Sequence, residues 1–390
     1  MKAWKLSPLV AALLSANAFA VEPTGLSLGG GFNFAPAVEL STENNDNIYS
    51  QSSDEKSSTI NRLTPSMALT GDFGKTTFSS FYQAEQGSFS AESDDDYLDQ
   101  LVSVDASFEL SARHQFDVAA EYTSAHDARG SVAGAESANA VKPDEYSQTT
   151  AGLTYIFGSD SSFANVDAYA DTFQKRYDNN ELTTSNREHD KTTFGALLSL
   201  KASSATSVLF EARQAEITYE DSAVDNDSSE QHLLTGMRWD ISGATTGEFK
   251  IGRIARSFDA SDKKSGTHLS WEGNLTWQPL TYSTVVVTTG QSANESNGTG
   301  NYIAASTSSV TWDHQFSSFI TAGISANYGE DEYVKAGRDD INSGFGINAT
   351  YSPLTWMDVD LTASQSLRDS NDNDLDKETN LISLGLTLAL

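Results

Sequence analysis

Cysteine is absent from the 390 residues. Disulfides, thiolate metal sites and cysteine nucleophiles are therefore excluded, which suits a chain that crosses an oxidising compartment. Bases are scarce, with 24 Lys and Arg against 54 Asp and Glu and a formal net charge of -30. Nucleic-acid phosphates need the opposite balance, so no nucleic-acid partner is expected. Long apolar runs are also missing. Beyond the first twenty residues nothing approaches the ~20 apolar residues of a spanning helix. With only 38% hydrophobic residues, a helical membrane protein is excluded. A membrane barrel is not, because its lipid and lumen faces alternate within each strand. Six histidines are present, but none stands beside a serine marked as activated. His268 and Ser270 share only a strand face, and no enzyme is expected.

What is present begins at the two ends. Lys2 and Lys5 precede an apolar stretch, Leu9 to Leu14, and the segment closes on Ala18-Phe19-Ala20. This reads as a secretory signal over residues 1–20, cleaved before Val21, with residues 21–390 as a single domain. Loss of those two lysines takes the net charge from -30 to -32. At the other end Ile382, Leu384, Leu386, Leu388 and Leu390 alternate with Ser383, Gly385, Thr387 and Ala389. A period of two, bulky on one side and small on the other, is a strand between lipid and a lumen.

Short turn signals recur between longer polar stretches. They are Gly71-Asp72-Phe73-Gly74, Ser111-Ala112-Arg113, Gly158-Ser159-Asp160, Ala202-Ser203-Ser204, Ser242-Gly243-Ala244, Gln278-Pro279-Leu280, Gln315-Phe316-Ser317 and Ser352-Pro353-Leu354. The long stretches cover 42–57, 89–96, 126–144, 177–189, 220–229, 258–266, 291–300, 329–340 and 368–377. Eight short turns alternating with nine long loops imply eighteen strands. The fold class expected is all-β: a transmembrane antiparallel up-and-down barrel in a Gram-negative outer membrane, with both termini periplasmic. Aromatics near strand ends, among them Tyr155, Phe157, Trp239, Trp277, Trp312, Tyr328 and Tyr351, suit interfacial girdles. The pattern is mixed at 211–219 and 249–258, where a bulge or a strand rising above the membrane is expected. Val285-Val286-Val287 fits either orientation.

If the apolar faces meet lipid, the other faces line the pore. The lining acids are then Glu39, Asp105, Glu109, Asp117, Glu121, Asp167, Asp171, Asp240, Glu272, Asp313, Asp358 and Asp360. The lining bases are fewer: Arg62, Lys201, Arg213, Arg238 and Lys250. This predicts an aqueous conduit with a cation-favouring field, unless the charges pair across the lumen. Tyr169 and Phe173 share a face with Asp167 and Asp171, where aromatics can stack on sugar rings. Asp372, Asp374 and Asp376 lie in an acidic outer loop that offers oxygen ligands for Ca²⁺ or Mg²⁺, though a solvated loop accounts for them as well. No other cofactor is expected.

A more specific likeness lies in the first third. Asn44-Asn45-Asp46-Asn47-Ile48-Tyr49 is followed by Arg62-Leu63-Thr64-Pro65-Ser66 and Gly71-Asp72-Phe73-Gly74-Lys75. Then come Asp94-Asp95-Asp96-Tyr97 and His126-Asp127-Ala128-Arg129-Gly130-Ser131. In this order the motifs resemble the "putative β-barrel porin 2" family, outer-membrane barrels associated with exopolysaccharide and capsule synthesis. The resemblance implies an eighteen-strand porin that passes a polysaccharide outward, with a periplasmic export protein as partner. Lipopolysaccharide and the barrel assembly machinery are further expected partners. The alternatives are a general or cation-preferring diffusion porin, and a surface-exposed structural or adhesive barrel.

Overall fold

The computed structural model describes residues 25–390, apart from residues 131–141 and positions 160, 242, 262, 264 and 298. The expected signal, Ser131 of the last motif and the middle of the long stretch 126–144 lie outside the described residues.

One antiparallel sheet accounts for the fold. Its strands begin with β1 (Leu26–Gly29), β2 (Phe32–Asn45), β3 (Ser58–Asp72), β4 (Thr76–Phe89), β5 (Tyr97–Ser111) and β6 (His114–Asp127). They continue as β7 (Asp144–Phe157), β8 (Ala164–Tyr177), β9 (His189–Lys201), β10 (Thr206–Tyr219), β11 (Ser228–Ile241) and β12 (Thr245–Phe258). The last are β13 (Gly266–Leu280), β14 (Ser283–Glu295), β15 (Tyr302–Ser317), β16 (Ile320–Tyr333), β17 (Arg338–Leu354), β18 (Met357–Ser370) and β19 (Lys377–Ala389). Each strand pairs with the next, and β19 pairs back onto β2 from Leu381↔Asn45 to Ala389↔Ala37. That closure gives a barrel of eighteen staves, β2 to β19, and leaves no long open edge. The short β1 takes over the edge of β2 where β19 ends, with Leu26 opposite Phe34 and the Gly25 N–H donated to the Leu390 carbonyl at 3.1 Å.

The outer face is apolar because alternation places bulky side chains there. Leu40, Val104, Phe108, Val118, Phe194, Phe210, Met237, Leu361, Ile382 and Leu384 are all exposed, as expected of a lipid-facing belt. Val285 and Val287 share this face, opposite the outward Trp277 and Trp312, while Val286 points inward between Thr276 and Thr311.

Two expectations are corrected. The turns placed at 278–280, 315–317 and 352–354 lie two or three residues later, because β13, β15 and β17 run on to Leu280, Ser317 and Leu354. Each strand shifts register just before its end, so Pro279 and Pro353 sit at irregular tails that need no ladder N–H. Of the two readings of the mixed pattern at 211–219 and 249–258, the bulge is the one overturned, since β10 and β12 pair without a register shift. Glu211 and Arg213 point inward and Glu216 outward, where it accepts a hydrogen bond from Gln214 near the long-loop rim.

Candidate functional site: the lumen wall

Strand parity turns Glu39, Arg62, Asp105, Glu109, Asp117, Glu121, Asp167, Tyr169, Asp171, Arg213, Arg238, Asp240, Glu272, Asp313, Asp358 and Asp360 inward, opposite the exposed apolar face. Their surroundings differ by sector. On β10–β13 the charges neutralise one another. Lys250 Nζ lies 2.5 Å from Glu211 Oε2, 2.7 Å from Glu272 Oε2 and 3.5 Å from Glu248 Oε1. Arg213 Nε is 3.2 Å from Glu211 and its Nη2 bonds Glu272, while Arg238 Nε is 2.6 Å from Glu248. Three acids thus meet three bases. A second network near the long-loop rim joins Arg256 to Glu230 at 3.2 Å and Glu295 at 2.7 Å, with Lys191 3.0 Å from Glu230.

Elsewhere four acids stand over small neighbours. Asp105 lies between Ser79 and Ala119, Asp171 between Gly152 and Thr193, Asp313 between Thr284 and Gly323, and Asp360 between Thr350 and Gly385. Among the described residues no Lys or Arg comes within 4.0 Å of Asp105, Asp117, Glu121, Asp171, Asp313 or Asp360. Pairing across the lumen, one reading of the sequence, does not occur among the ion pairs of the described residues. The widest strand-to-strand ion pairs, such as Arg213 to Glu272, span three strands and run along the wall. The reason is reach: a Glu–Lys pair covers neighbouring strands ~4.8 Å apart but not a barrel of eighteen.

Tyr169 and Phe173, considered as sugar platforms, are engaged by the protein. Tyr169 donates to Glu211 at 2.6 Å and its ring lies over Gly195, where a Cβ would collide with it; Phe173 stacks on His189 at 5.3 Å. Parity alone missed Glu85, Glu230, Glu248 and Arg256. Glu85 sits in Gln83-Ala84-Glu85-Gln86, polar on both faces, so alternation gives no signal there.

Most of the motif residues shape the rims. Tyr49 donates to Asp95 at 2.9 Å, and Arg129 clamps Asp95 through Nε at 2.7 Å and Nη2 at 2.6 Å while covering the Tyr49 ring at 4.2 Å. Gly130, at φ +78°, passes so close to the Tyr49 carbonyl that a Cβ would collide with it. Three loops are thereby latched together. Burial first, then the hydrogen bond to Asp95, pushes the Tyr49 hydroxyl up to about 12, and Arg129's own hydrogen bonds to Asp95 raise Arg129. Ile48 is buried beside them. Asp46 accepts two hydrogen bonds from Asn380, and buried Asn47 donates to the Gln51 and Glu378 carbonyls. Asp127 receives the Tyr177 hydroxyl at 2.9 Å. At the other rim Gly71 ends β3 with Asp72, whose carboxylate accepts the Gly74 N–H. Pro65 lies on the outer face of β3, at a break in the β3–β4 ladder. In the acidic loop between β18 and β19 Asp372 and Asp376 accept backbone N–H groups of Asp374 and Ser370. No group of three or more metal-binding side chains occurs among the described residues.

Comparison with known proteins agrees with this architecture. The family model described as "Putative beta-barrel porin 2" matches residues 20–390. No curated protein matches the chain. Among solved structures, a BenF-like porin from Pseudomonas fluorescens Pf-5 is similar at a TM-score of 0.51 and 11% identity, over 93% of this chain and 100% of that one. OccK2 (OpdF) of Pseudomonas aeruginosa is similar at 0.50 and 9% identity, over 92% and 97%. At such identities the likeness is one of fold.

Proposed function

The chain belongs to the "Putative beta-barrel porin 2" family, and we propose that it is an outer-membrane porin giving a secreted polysaccharide a passive way out of the cell. The observation that carries this reading is that, among the described residues, the wall's ion pairs run along it and do not tie opposite sides together. Eighteen strands tilted by ~40° enclose a backbone cylinder of radius ~18 Å, wide enough for water and an extended sugar chain after inner side chains are allowed for. Passage needs no energy source within the barrel, only many weak hydrogen bonds to exchange with water. In this reading both termini and the short turns face the periplasm, where an export protein would deliver the polymer. The long acidic loops face outward beside lipopolysaccharide.

A second reading, a cation-preferring diffusion porin, draws support from the carboxylates that stand without bases over small neighbours. The OccK2 barrel has been solved in complex with glucuronate; the acid wall here disfavours so anionic a sugar. The test is polymer location in a clean deletion strain, with complementation. Polymer retained in the cell and restored to the medium by the intact gene is the expected result. Unchanged secretion overturns the export role and leaves the diffusion porin.

A further inference from the structure

The seam where β19 meets β2 holds a recess in the inner wall of about 380 Å³. Glu39 is at its centre, directly opposite Thr387 on β19 and Thr64 on β3. Both threonines are more than nine-tenths buried and both line the recess. Among the described residues neither hydroxyl has a hydrogen-bond partner, and none donates to Glu39 or pairs with Gln83 at the recess edge. Two other lining residues, Arg62 and Glu85, are engaged by the protein. Arg62 lies 2.7 Å from Glu43 and 3.3 Å from Glu85, and Tyr97 donates to Glu85 at 2.5 Å. The protein thus engages Arg62 and Glu85 and, among the described residues, leaves Glu39, Thr64, Gln83 and Thr387 without a hydrogen-bond partner. Pro65 contributes by breaking the β3–β4 ladder beside Glu85, between Leu63↔Gln86 and Ser66↔Gln83.

We propose that this recess is a subsite for one sugar unit of the translocated polymer, and that it favours an amino sugar with a free ammonium. The proposal rests on the conduit reading and deepens it. A carboxylate accepts hydrogen bonds only, so Glu39 calls for a hydroxyl or ammonium donor. Threonine hydroxyls both donate and accept, which matches the mixed character of sugar hydroxyls. Three carboxylates, Glu39, Glu43 and Glu85, face the single guanidinium of Arg62. The excess negative charge refuses a uronate and draws a cation. The recess opens inward, so a chain sliding along the wall can exchange units in and out.

The test is current interruption in planar bilayers holding the full barrel, with hexamers of glucosamine, glucose and galacturonate at a pH where the amine is charged. Glucosamine oligomers are expected to interrupt the current at concentrations roughly tenfold below those of glucose oligomers, because a charge-assisted hydrogen bond outweighs a neutral one. Galacturonate oligomers should act most weakly. Glu39→Gln should abolish the preference for the amino sugar while keeping the open-channel current, which reports correct folding. Thr64→Val with Thr387→Val should weaken both glucosamine and glucose several-fold and keep their ratio. Equal interruption by the three oligomers, or an unchanged preference in Glu39→Gln, overturns the subsite. A barrel with no open-channel current overturns the conduit itself; a conducting barrel that no oligomer interrupts overturns only the subsite.

Discussion

Neutralising Asp105 and Glu121 together should cut the cation preference of the pore about fourfold, by the following magnitudes. Both point inward from the neighbouring strands β5 and β6, with small or hydroxyl residues opposite: Ser79 and Ala119 for Asp105, Ser103 and Thr150 for Glu121. An ion passing ~8 Å from one unit charge in water gains ~0.5 kcal/mol, and a Debye length of ~10 Å at 0.1 M salt reduces this to ~0.2 kcal/mol. Two such charges contribute ~0.4 kcal/mol, which enriches cations about twofold and depletes anions about twofold. Asp105→Asn with Glu121→Gln removes both factors, hence the fourfold change in their ratio. The assay is the reversal potential of single barrels across a KCl gradient whose dilute side is near 0.1 M. Glu216→Gln, an outward change at the rim, serves as the control and should leave the potential where it was. An unchanged reversal potential in the double variant would show that these carboxylates do not face the conducting path, and the reasoning from strand parity to selectivity would fail with it.

Three other outcomes follow from the same geometry. Arg129→Ala strips a nearly buried Asp95 of its bidentate partner, a loss of ~3 kcal/mol that should open the loop latch; faster limited proteolysis between residues 46 and 57 than in the wild type reads it out. Burial in the folded latch pushes the Tyr49 hydroxyl up to about 12, above its ordinary ~10. The raised value means that the latch gains stability in full below pH 10 and loses it as pH climbs through about 12. Difference absorbance titration of wild type against Tyr49→Phe should show one tyrosine ionising that late, and a normal midpoint refutes the latch. Leu384→Arg places a charge on the lipid face at a cost of ~2–4 kcal/mol, whereas Ser383→Arg, one residue away, faces the lumen and should cost little. Heat-modifiable migration after refolding into vesicles compares the two, and equal losses would contradict the assigned faces.

The faces and the strand number were legible in the sequence because both are local. Alternation at Val102 to Leu110 or Ile382 to Leu390 sets which side chains meet lipid, since successive residues of a strand point to opposite sides. Turn residues set how often the chain reverses. Alternation failed where a strand is polar on both faces, as at Gln83 to Gln86, and Glu85 went unnoticed there. Turn residues misled at Pro279 and Pro353, because a bulged strand tail tolerates proline without ending. The likeness of the Asp46–Tyr49 and Arg129–Gly130 motifs to a porin family was also legible, but not what those residues do. Their role depends on Asp95, a third segment that meets them only in the folded loops.

An eighteen-strand barrel, its lipid face and an inner wall rich in carboxylates follow from local pattern, because a period of two and a turn are properties of neighbouring residues. Tertiary structure alone decided which of those carboxylates are neutralised and which stand in water. Long side chains reach across two or three strands, so Lys250 meets Glu211 and Glu272 through strand register that no local pattern encodes. It alone made the recess at Glu39, too, for closing the barrel sets residue 39 beside residue 387. Contacts between the two ends of a chain exist only once every strand between them has paired.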